Sequence, residues 1–428
     1  MEMLKYINKL QNIGEIMLEI YIWVISFIAL YVSVFWIIVS SYNKSKKILN
    51  LKYSPYVTIA IPVWNEEKTV IGTLKSLIGL DYDRNKLQII VVNDGSTDKT
   101  KNVVEDFLNE NKGLKHIKLI NQKNKGKAGA LNTALKIINS EYFAVFDADS
   151  IANSKALKLM LPYFDSDKIG AVITPIKVAD PKTVIEKIQR IEYIFSSFVR
   201  KLMSNIGTLH TTHGVLSIFR TDVLKKLGGF DENKNMTEDY EIAMRLRKNH
   251  YQIVLCEENI NYTKVPDNLK SLWFQRVRWF RGFMFNGIKY KEIVMGKRYG
   301  LLGGFQIPLE ILTLFIVFFS FGFMGYQIFR SLYNFIIKVY ISRMEIFYID
   351  IPTIKEFILR LNFKIYFPFI ATLIAALYLY IMAHKYVDEK WKFHLASFIY
   401  LFLYPAIRST QWIHALILEI FRAKEKWR

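Results

Sequence analysis

The chain of 428 residues contains a single cysteine, Cys256. One thiol excludes an intrachain disulfide framework and a zinc site built from cysteines. The sequence also has no internal repeat and no low-complexity tract, and 22% charged with 15% aromatic residues excludes bulk disorder. Acidic residues are in deficit, because 38 Asp and Glu against 58 Lys and Arg give a net charge of +20. Such a basic balance suits nucleic acid or an anionic membrane surface.

Long apolar runs lie towards both ends of the chain. Residues 16–41 contain one charged side chain, Glu19, and a helix of that length crosses the hydrocarbon layer of about 30 Å. Four lysines between residues 44 and 52 follow this run, and positive charge beside a span indicates the cytoplasmic side. The pattern therefore predicts a transmembrane helix with the next segment in the cytoplasm.

Three further apolar runs follow the central region and predict spans at 305–329, 363–383 and 393–420. Pro405 should kink or split the last of them. One span before the central region and three after it would place the basic carboxyl end outside, whereas basic ends prefer the inside. Either the segment around Pro405 is re-entrant or another run crosses.

The central region alternates short apolar runs with helical patterns and contains no run long enough to span a membrane. Apolar strands separated by helices predict an α/β domain with a mostly parallel sheet and helices on both faces. Ligands of such sheets bind at the carboxyl ends of the strands. The predicted strands are residues 57–61, 88–92, 116–120 and 142–146.

Two stretches, residues 181–203 and 272–290, are amphipathic and carry both basic and aromatic side chains. This composition is typical of helices that lie in the membrane interface. The alternative is that each is a core-facing helix of the central domain.

Acidic side chains follow two of the predicted strands. Asp94 lies in VVNDGSTD after the second strand, and Asp147 and Asp149 form DAD after the fourth. Two carboxylates one residue apart raise each other's proton affinity unless a cation compensates. Magnesium is typically held by one or two carboxylates together with substrate phosphates. The alternative is a solvated turn without a ligand.

A third acidic motif, TED, ends in Glu238 and Asp239 and opens a helical pattern over residues 240–248. One carboxylate could serve as a general base at the edge of a site. The alternative is that Thr237 caps the helix and the acids complement its dipole.

Two basic motifs complete the set. Lys127 lies in a lysine- and glycine-rich loop at the start of a helix, which favours an anionic ligand or is simply solvated. Gln275, Arg278 and Trp279 belong to QRVRW, whose two arginines, Arg276 and Arg278, and aromatic ring suit contact with phosphate and sugar. QRVRW could equally mark a basic helix on the membrane surface.

In this order, IAIPVWNEE, VVNDGSTD, GKAGALN, DAD, TED and QRVRW resemble the processive membrane synthases of glycosyltransferase family 2. The chain is most similar to bacterial poly-N-acetylglucosamine synthases, and hyaluronan, chitin and cellulose synthases are nearby relatives. The resemblance implies a GT-A nucleotide-sugar-binding domain inserted between transmembrane helices. It implies inverting, processive transfer from a UDP-sugar to a growing polysaccharide, with Mg²⁺ or Mn²⁺ as cofactor.

The resemblance also implies a multi-pass protein of the cell membrane with a cytoplasmic catalytic domain. The expected partners are the lipid bilayer and a small accessory membrane subunit, with no nucleic acid. The expected domains are an amino-terminal region at 1–52, a GT-A domain at 53–266, an interface region at 267–298 and a membrane region at 299–428.

Individual roles follow from the resemblance. Asp239 would be the general base, beside Glu238 in the same catalytic motif, and Asp149 would be the metal ligand. The residues implied to bind the nucleotide sugar are Pro62, Glu66, Asp94, Lys127, Asp147 and Asp149. Those implied to hold the acceptor and the diphosphate are His213, Gln275, Arg278 and Trp279.

Several alternatives stay open. Relatives usually carry a small residue where this chain has His213, so that side chain alters acceptor recognition or is an ordinary buried histidine. The product could be hyaluronan or another polymer, or a single sugar could be added to a lipid carrier. A different class, a non-catalytic basic membrane protein or transporter scaffold, is supported only by the charge and the spans.

Overall fold

The computed structural model describes residues 2–42, 53–233, 236–342, 363–390 and 394–421. The chain divides into two compact units. The apolar unit comprises residues 1–42 and 310–382, and the α/β unit comprises residues 43–309 and 383–428. The lysines between residues 44 and 52 and the basic end beyond residue 421 lie outside the described residues.

The elements of the described residues are numbered in chain order. The α-helices are α1 (Glu2–Ser41), α2 (Val70–Ile78), α3 (Thr100–Glu110), α4 (Gly126–Lys136), α5 (Ala156–Met160), α6 (Val184–Asn205), α7 (Thr221–Lys226), α8 (Glu238–Lys248), α9 (Leu269–Lys289), α10 (Ile307–Ser342), α11 (Phe363–Tyr386), α12 (Leu395–Phe398) and α13 (Tyr404–Ile420). The strands are β1 (Val57–Val63), β2 (Leu87–Asp94), β3 (Ile117–Gln122), β4 (Tyr142–Phe146), β5 (Ser150–Ile151), β6 (Ile169–Ile173), β7 (Ile176–Val178), β8 (Val215–Arg220), β9 (Gln252–Leu255) and β10 (Asn261–Thr263). Short 3₁₀ segments are Leu161–Tyr163, Lys291–Ile293 and Lys297–Tyr299, and π-helical turns are Leu302–Gln306 and Ile399–Leu403.

The main sheet of the α/β unit has the strand order β3-β2-β1-β4-β8-β6-β9. Strands β3, β2, β1 and β4 pair in parallel, whereas β8 runs antiparallel between β4 and β6. The four predicted strands coincide with β1 to β4, so the predicted mostly parallel sheet is confirmed. A second sheet has the order β5-β10-β7.

The core forms because the strands are apolar on both faces. Alternate residues of β1, including Ile59 and Ile61, pack in one cluster with Leu74 and Leu77 of α2. The residues between them face the opposite side, where α4 contacts β1 and β2. Each fully buried leucine or isoleucine contributes roughly 1.5–3 kcal/mol. Helices therefore cover both faces of the sheet and leave the strand ends for the site.

The carboxyl ends of β1, β2 and β4 lie at one edge of this sheet because the strands are parallel. Val63 is in register with Asn93, so the loops after β1 and β2 leave the sheet together. Phe146 at the end of β4 is opposite Val215 at the start of the antiparallel β8. The segment that precedes β8 therefore meets the loop that follows β4 at the same edge.

The two amphipathic stretches form α6 and α9, both within the α/β unit. Ile188, Ile191 and Phe198 of α6 are buried, and α6 packs against β7 and β9. Helix α9 packs along α13, where the rings of Phe280 and Trp412 stack with centroids 4.0 Å apart. Both helices therefore bury one face in the α/β unit, as the core-facing alternative states. That their exposed faces lie in the membrane interface stays a prediction.

Among the described residues, three helices are long and apolar enough to cross a membrane, namely Ile16–Ser41, Leu302–Ile337 and Tyr366–Tyr386. They match the predicted spans at 16–41, 305–329 and 363–383 and indicate membrane localisation. Inside the apolar unit, Tyr21 stacks on Phe323 with ring centroids 4.5 Å apart.

The run 393–420 is not among these three helices, which corrects the expectation of a third span after the domain. A π-helical turn follows α12, and Pro405 lies in the first turn of α13, so the predicted break is confirmed.

Candidate active site

Two hydrogen bonds fix the carboxylate of Asp94 at the end of β2. Asp94 is buried, and its Oδ1 accepts hydrogen bonds from Gln122 Nε2 at 2.6 Å and from the backbone N–H of Lys125 at 2.9 Å. The next residue, Gly95, has a φ of +71° in the left-handed region, and a Cβ there would lie 2.9 Å from the backbone nitrogen of Asn124. Glycine is therefore required for the loop after β3 to reach Asp94.

The loop after β1 places Glu66 near the same edge. The backbone N–H of Glu66 donates to Thr100 Oγ1 at 2.8 Å, and the hydroxyl of Thr69 donates to the Glu66 carboxylate. Pro62 lies near the end of β1, and the pairing of β1 with β4 stops earlier, at Ala60. Proline, which cannot donate to a strand ladder, is therefore tolerated in this central strand.

The DAD turn after β4 is fixed by contacts on both sides. The backbone N–H of Asp147 donates to the carbonyl of Gly214 at 2.8 Å. A Cβ at Gly214 would lie 2.0 Å from Asp147 Oδ2, so only glycine fits beside this carboxylate. The hydroxyl of Thr73 donates to the Ala148 carbonyl at 2.8 Å, and the Ser150 hydroxyl donates to Asp149 Oδ1 at 3.2 Å.

Three carboxylates share this corner, and their charges affect one another. Burial, followed by the charges of Asp147 and Glu66, raises the pKa of Asp149 to about 7. Burial also raises the pKa of Glu66, against the hydrogen bond from Thr69. A divalent cation would offset this crowding of negative charge, so the residues fit one.

Among the described residues, no group of three or more His, Cys, Asp or Glu side chains could hold a metal ion. Magnesium is typically held by one or two carboxylates together with the phosphates of a substrate. Asp149 and Asp147 are the side chains that would supply the protein ligands.

A lysine links the DAD turn to the TED motif. Lys127, in the first turn of α4, has its Nζ 2.7 Å from Asp147 Oδ1 and 2.9 Å from Glu238 Oε1. Burial alone would lower the pKa of Lys127, but the charges of Asp147 and Glu238 raise it above its ordinary value. Burial would likewise raise the pKa of Glu238, but the Lys127 ammonium holds it below its ordinary value.

Asp239, next to Glu238 in the first turn of α8, lies in a different environment. Burial and the charge of Glu238 raise the pKa of Asp239 to about 6. Its Oδ1 accepts from the backbone N–H of Tyr240 at 2.7 Å, and its carbonyl accepts from the Thr212 hydroxyl at 2.7 Å. A carboxylate with a raised pKa at the edge of a cleft has the properties of a general base.

Thr237 occupies the N-cap position of α8, as the alternative interpretation of TED states, but its hydroxyl makes no capping hydrogen bond. It accepts instead from Asn286 Nδ2 of α9 at 3.2 Å, and a Cβ at Gly282 would lie 2.3 Å from Thr237 Oγ1. Tertiary packing against α9 therefore outweighs the local capping preference and ties TED to the QRVRW helix.

The QRVRW residues are organised by Arg276, the arginine of the motif to which the family resemblance assigned no individual role. Its guanidinium is fully buried, donates to Gln275 Oε1 at 2.5 Å and lies over the ring of Trp279 at 4.1 Å. It also donates to Glu192 Oε2 of α6 at 2.7 Å. Arg278 points elsewhere and donates to the Met236 carbonyl at 3.0 Å, beside TED. The signal for Arg276 is its position on the buried stripe that contains Leu272 and Phe280.

His213 has the environment of an ordinary buried histidine. Its Nε2–H donates to the Thr174 carbonyl at 2.9 Å, and Nδ1 has no partner among the described residues. Burial and the charge of Arg200 lower the pKa of His213 to about 3, so the ring is neutral. It precedes Gly214 in the segment that meets Asp147, and its role in acceptor recognition stays a prediction.

The predicted residues are thus brought to one edge of the sheet by contacts between separate segments. Asp94 is bonded to the backbone of Lys125, two residues before Lys127, which bridges Asp147 and Glu238. TED contacts α9, which carries Gln275, Arg278 and Trp279. One lysine thus joins the DAD carboxylate Asp147 to Glu238, the residue next to Asp239.

Comparison with known proteins agrees with this architecture. The family model "Glycosyl transferase family 2" matches residues 58–228. The poly-beta-1,6-N-acetyl-D-glucosamine synthase of Staphylococcus epidermidis is 31% identical over 268 residues, which are 60% of this chain and 64% of that protein. The Staphylococcus aureus synthase (strain COL) is 30% identical over 269 residues, with the same coverage of 60% and 64%. The chain therefore matches just under two thirds of the length of these curated relatives.

Two further similarities are informative. The probable glycosyltransferase YdaM of Bacillus subtilis is 31% identical over 282 residues, or 63% of this chain and 65% of that protein. The solved structure of the mannosyltransferase PcManGT from Pyrobaculum calidifontis, in complex with GDP-Man and Mn²⁺, has a TM-score of 0.64 at 17% identity. The match covers 95% of this chain and 99% of the mannosyltransferase chain. At 17% identity the similarity concerns the fold alone. Residues 58–228 of this chain therefore match glycosyl transferase family 2, and the chain has the GT-A-like fold that was predicted.

Proposed function

We propose that the chain transfers N-acetylglucosamine from UDP-N-acetylglucosamine to a growing polysaccharide, processively and with inversion, and couples this synthesis to export through the membrane. One observation carries the proposal. Lys127 joins the DAD carboxylate Asp147 to Glu238, the residue next to Asp239, so a donor-diphosphate site and a base are adjacent in a family 2 domain.

On the donor side, Asp94 contacts the uracil and Lys127 contacts the diphosphate. Asp147 and Asp149 hold the nucleotide sugar, with Asp149 as the main ligand of a divalent cation. When bound, that cation supplies charge stabilisation for the departing UDP. Arg278, next to the TED segment, adds a second positive charge on the side of the leaving group.

On the acceptor side, Asp239 removes the proton from the attacking hydroxyl, which approaches the anomeric carbon from the face opposite to UDP. Gln275 and Trp279, both fixed by Arg276, hold the end of the polymer. One displacement of this kind inverts the anomeric carbon and needs no covalent nucleophile. His213 lies one residue from Gly214 and is assigned to the acceptor side by the family resemblance.

The membrane topology belongs to the same proposal. Three crossings would leave residues 53–301, which carry the candidate site, on one side, and the lysine-rich sequence after the first span favours the cytoplasm. The donor is then taken from the cytoplasm and the polymer leaves through the membrane. Activity of the purified chain without any second protein would show that an accessory subunit is dispensable.

The choice of sugar is supported by the named function of the staphylococcal relatives, and a donor panel tests it. The full chain in lipid nanodiscs is incubated with Mg²⁺ or Mn²⁺ and with UDP-N-acetylglucosamine, UDP-glucose, UDP-glucuronate or GDP-mannose. We expect UDP release and long products with UDP-N-acetylglucosamine alone. A requirement for two donors together would indicate a hyaluronan-type synthase, and products with one added sugar would contradict processivity. No nucleotide release from any donor would refute the catalytic proposal.

The transfer rate should depend on pH through Asp239, whose pKa is raised to about 6. A base works only when ionised, so the rate is full above this pKa and falls as the pH drops through about 6. The charged groups around Asp239 are Glu238, Lys127, Arg278 and Arg200. The check is kcat between about pH 4.5 and 8, with donor at saturation at each pH. A rate that stays constant down to about pH 5 would contradict this assignment.

A further inference from the structure

We propose that Glu238 is a positioning residue of the donor site, which holds Lys127 towards the donor diphosphate, and that it does not act as a second base. The inference rests on the proposed function, because it assigns one carboxylate of the same site. It separates the two neighbouring acids of TED, which the family resemblance groups together.

Glu238 is buried and forms an ion pair that holds Lys127 in place. Its side chain is only 6% exposed, and its Oε1 lies 2.9 Å from Lys127 Nζ. Asp239 directs its Oδ1 to the backbone N–H of Tyr240. Two adjacent residues at the start of α8 therefore have separate partners, one a cation and the other a backbone amide. A buried carboxylate committed to an ammonium stays ionised and cannot readily collect a proton.

The second ion-pair partner of Lys127, Asp147, explains why Lys127 needs Glu238. Lys127 also contacts Asp147 at 2.7 Å, and Asp147 belongs to the DAD turn, which the proposed function assigns to the diphosphate and its cation. Asp147 is therefore the partner that Lys127 would exchange for a phosphate oxygen of the donor. Glu238 then remains as the fixed partner. Without Glu238, Asp147 is the one ion-pair partner left to Lys127 within the described part of the chain, and the lysine would compete with the cation for it instead of helping to bind the diphosphate.

The test is a double-mutant cycle on donor binding. Glu238→Gln, Lys127→Met and the double variant are prepared as full chains in nanodiscs. Affinity for UDP is measured by calorimetry with Mn²⁺ and with a chelator, and KM and kcat are measured for the donor. Lys136→Met is the matched control, because Lys136 is exposed at the other end of α4.

Glu238→Gln should weaken UDP binding and raise the donor KM by about 5- to 10-fold, the low end of coupling between sites, with kcat nearly unchanged. Lys127→Met should weaken binding at least as much, and the double variant should be no worse than Lys127→Met. Lys136→Met should match the unmodified chain.

Three results would overturn the inference. Glu238→Gln could lower kcat while leaving UDP affinity intact, the two effects could simply add in the double variant, or Lys127→Met could bind UDP normally. The last result is decisive even where Glu238→Gln fails to fold. An unmodified chain that binds no UDP and turns over no donor would instead refute the proposed function.

Discussion

Asp239→Asn should reduce sugar transfer by roughly 10²- to 10⁴-fold, the usual contribution of a general base, while UDP binding stays close to normal. Asparagine has the shape of aspartate but cannot take the proton of the acceptor hydroxyl. Its amide oxygen can still accept from the backbone N–H of Tyr240, and the carbonyl that receives the Thr212 hydroxyl is unchanged. The start of α8 should therefore keep its structure, and the loss should appear in kcat.

The measurement combines UDP release under saturating donor with UDP affinity by calorimetry. Asp222→Asn is the matched control, because Asp222 is also an acidic residue in the first turn of a helix, α7, but is exposed. The control should keep full activity. Normal turnover in Asp239→Asn would remove Asp239 from its role, and a parallel loss of UDP binding would show that the residue belongs to the donor site.

The donor side of this site follows from sequence because it depends on strand order and local spacing. Apolar runs identify β1 to β4, and parallel strands carry the residues after them to one edge. Asp94 is the last residue of β2, and Asp147 directly follows β4. Once the strands are known, both side chains are therefore placed at the same edge of the sheet. The bridge made by Lys127 could not be derived in this way, since the contact with Glu238 joins segments more than a hundred residues apart.

The acceptor side is less predictable, because its contacts also join segments that are far apart in the sequence. Thr237 has the residue type and position of a helix cap, yet packing against Gly282 and Asn286 decides its contacts. The run 393–420 is apolar enough to suggest a span, but its second half, α13, pairs polar side chains with α9. Trp273 Nε1 donates to His414 Nδ1 at 2.9 Å, and Arg281 is paired with Glu419 at 2.5 Å. Reading the run as one apolar segment averages over these few polar side chains and does not register their partners.

The largest effect on stability is expected at Arg276, which joins three helices of the α/β unit. Glu192 of α6 accepts from Arg276 of α9 at 2.7 Å and from the Tyr404 hydroxyl of α13 at 2.9 Å, and Arg408 of α13 lies 3.3 Å away. Burial would raise the pKa of Glu192, but the two arginines hold it below its ordinary value. The carboxylate is therefore ionised inside the protein and depends on these partners.

Arg276→Met should destabilise the α/β unit by about 3 kcal/mol, the lower end for removing one partner of a buried ion pair. The lower end applies because Arg408 and Tyr404 remain beside Glu192. An unfolding midpoint lower by about 5 to 10 °C is expected in nanodiscs at a fixed heating rate. Arg84→Met, the same change at an exposed arginine, should leave the midpoint unchanged.

A second substitution separates the buried charge from lost packing. Glu192→Gln added to Arg276→Met removes the carboxylate that has lost one of its two arginines and keeps an acceptor for the Tyr404 hydroxyl. The double variant should therefore be more stable than Arg276→Met alone, because most of the penalty comes from leaving a charge buried without its partner. Arg276→Met should also weaken acceptor use, since Gln275 loses its donor and Trp279 loses the guanidinium that stacks on it. If the double variant is instead the less stable one, the stability at this junction comes from the packing of the arginine stem, and the ion network is not what joins α9 to α6 and α13.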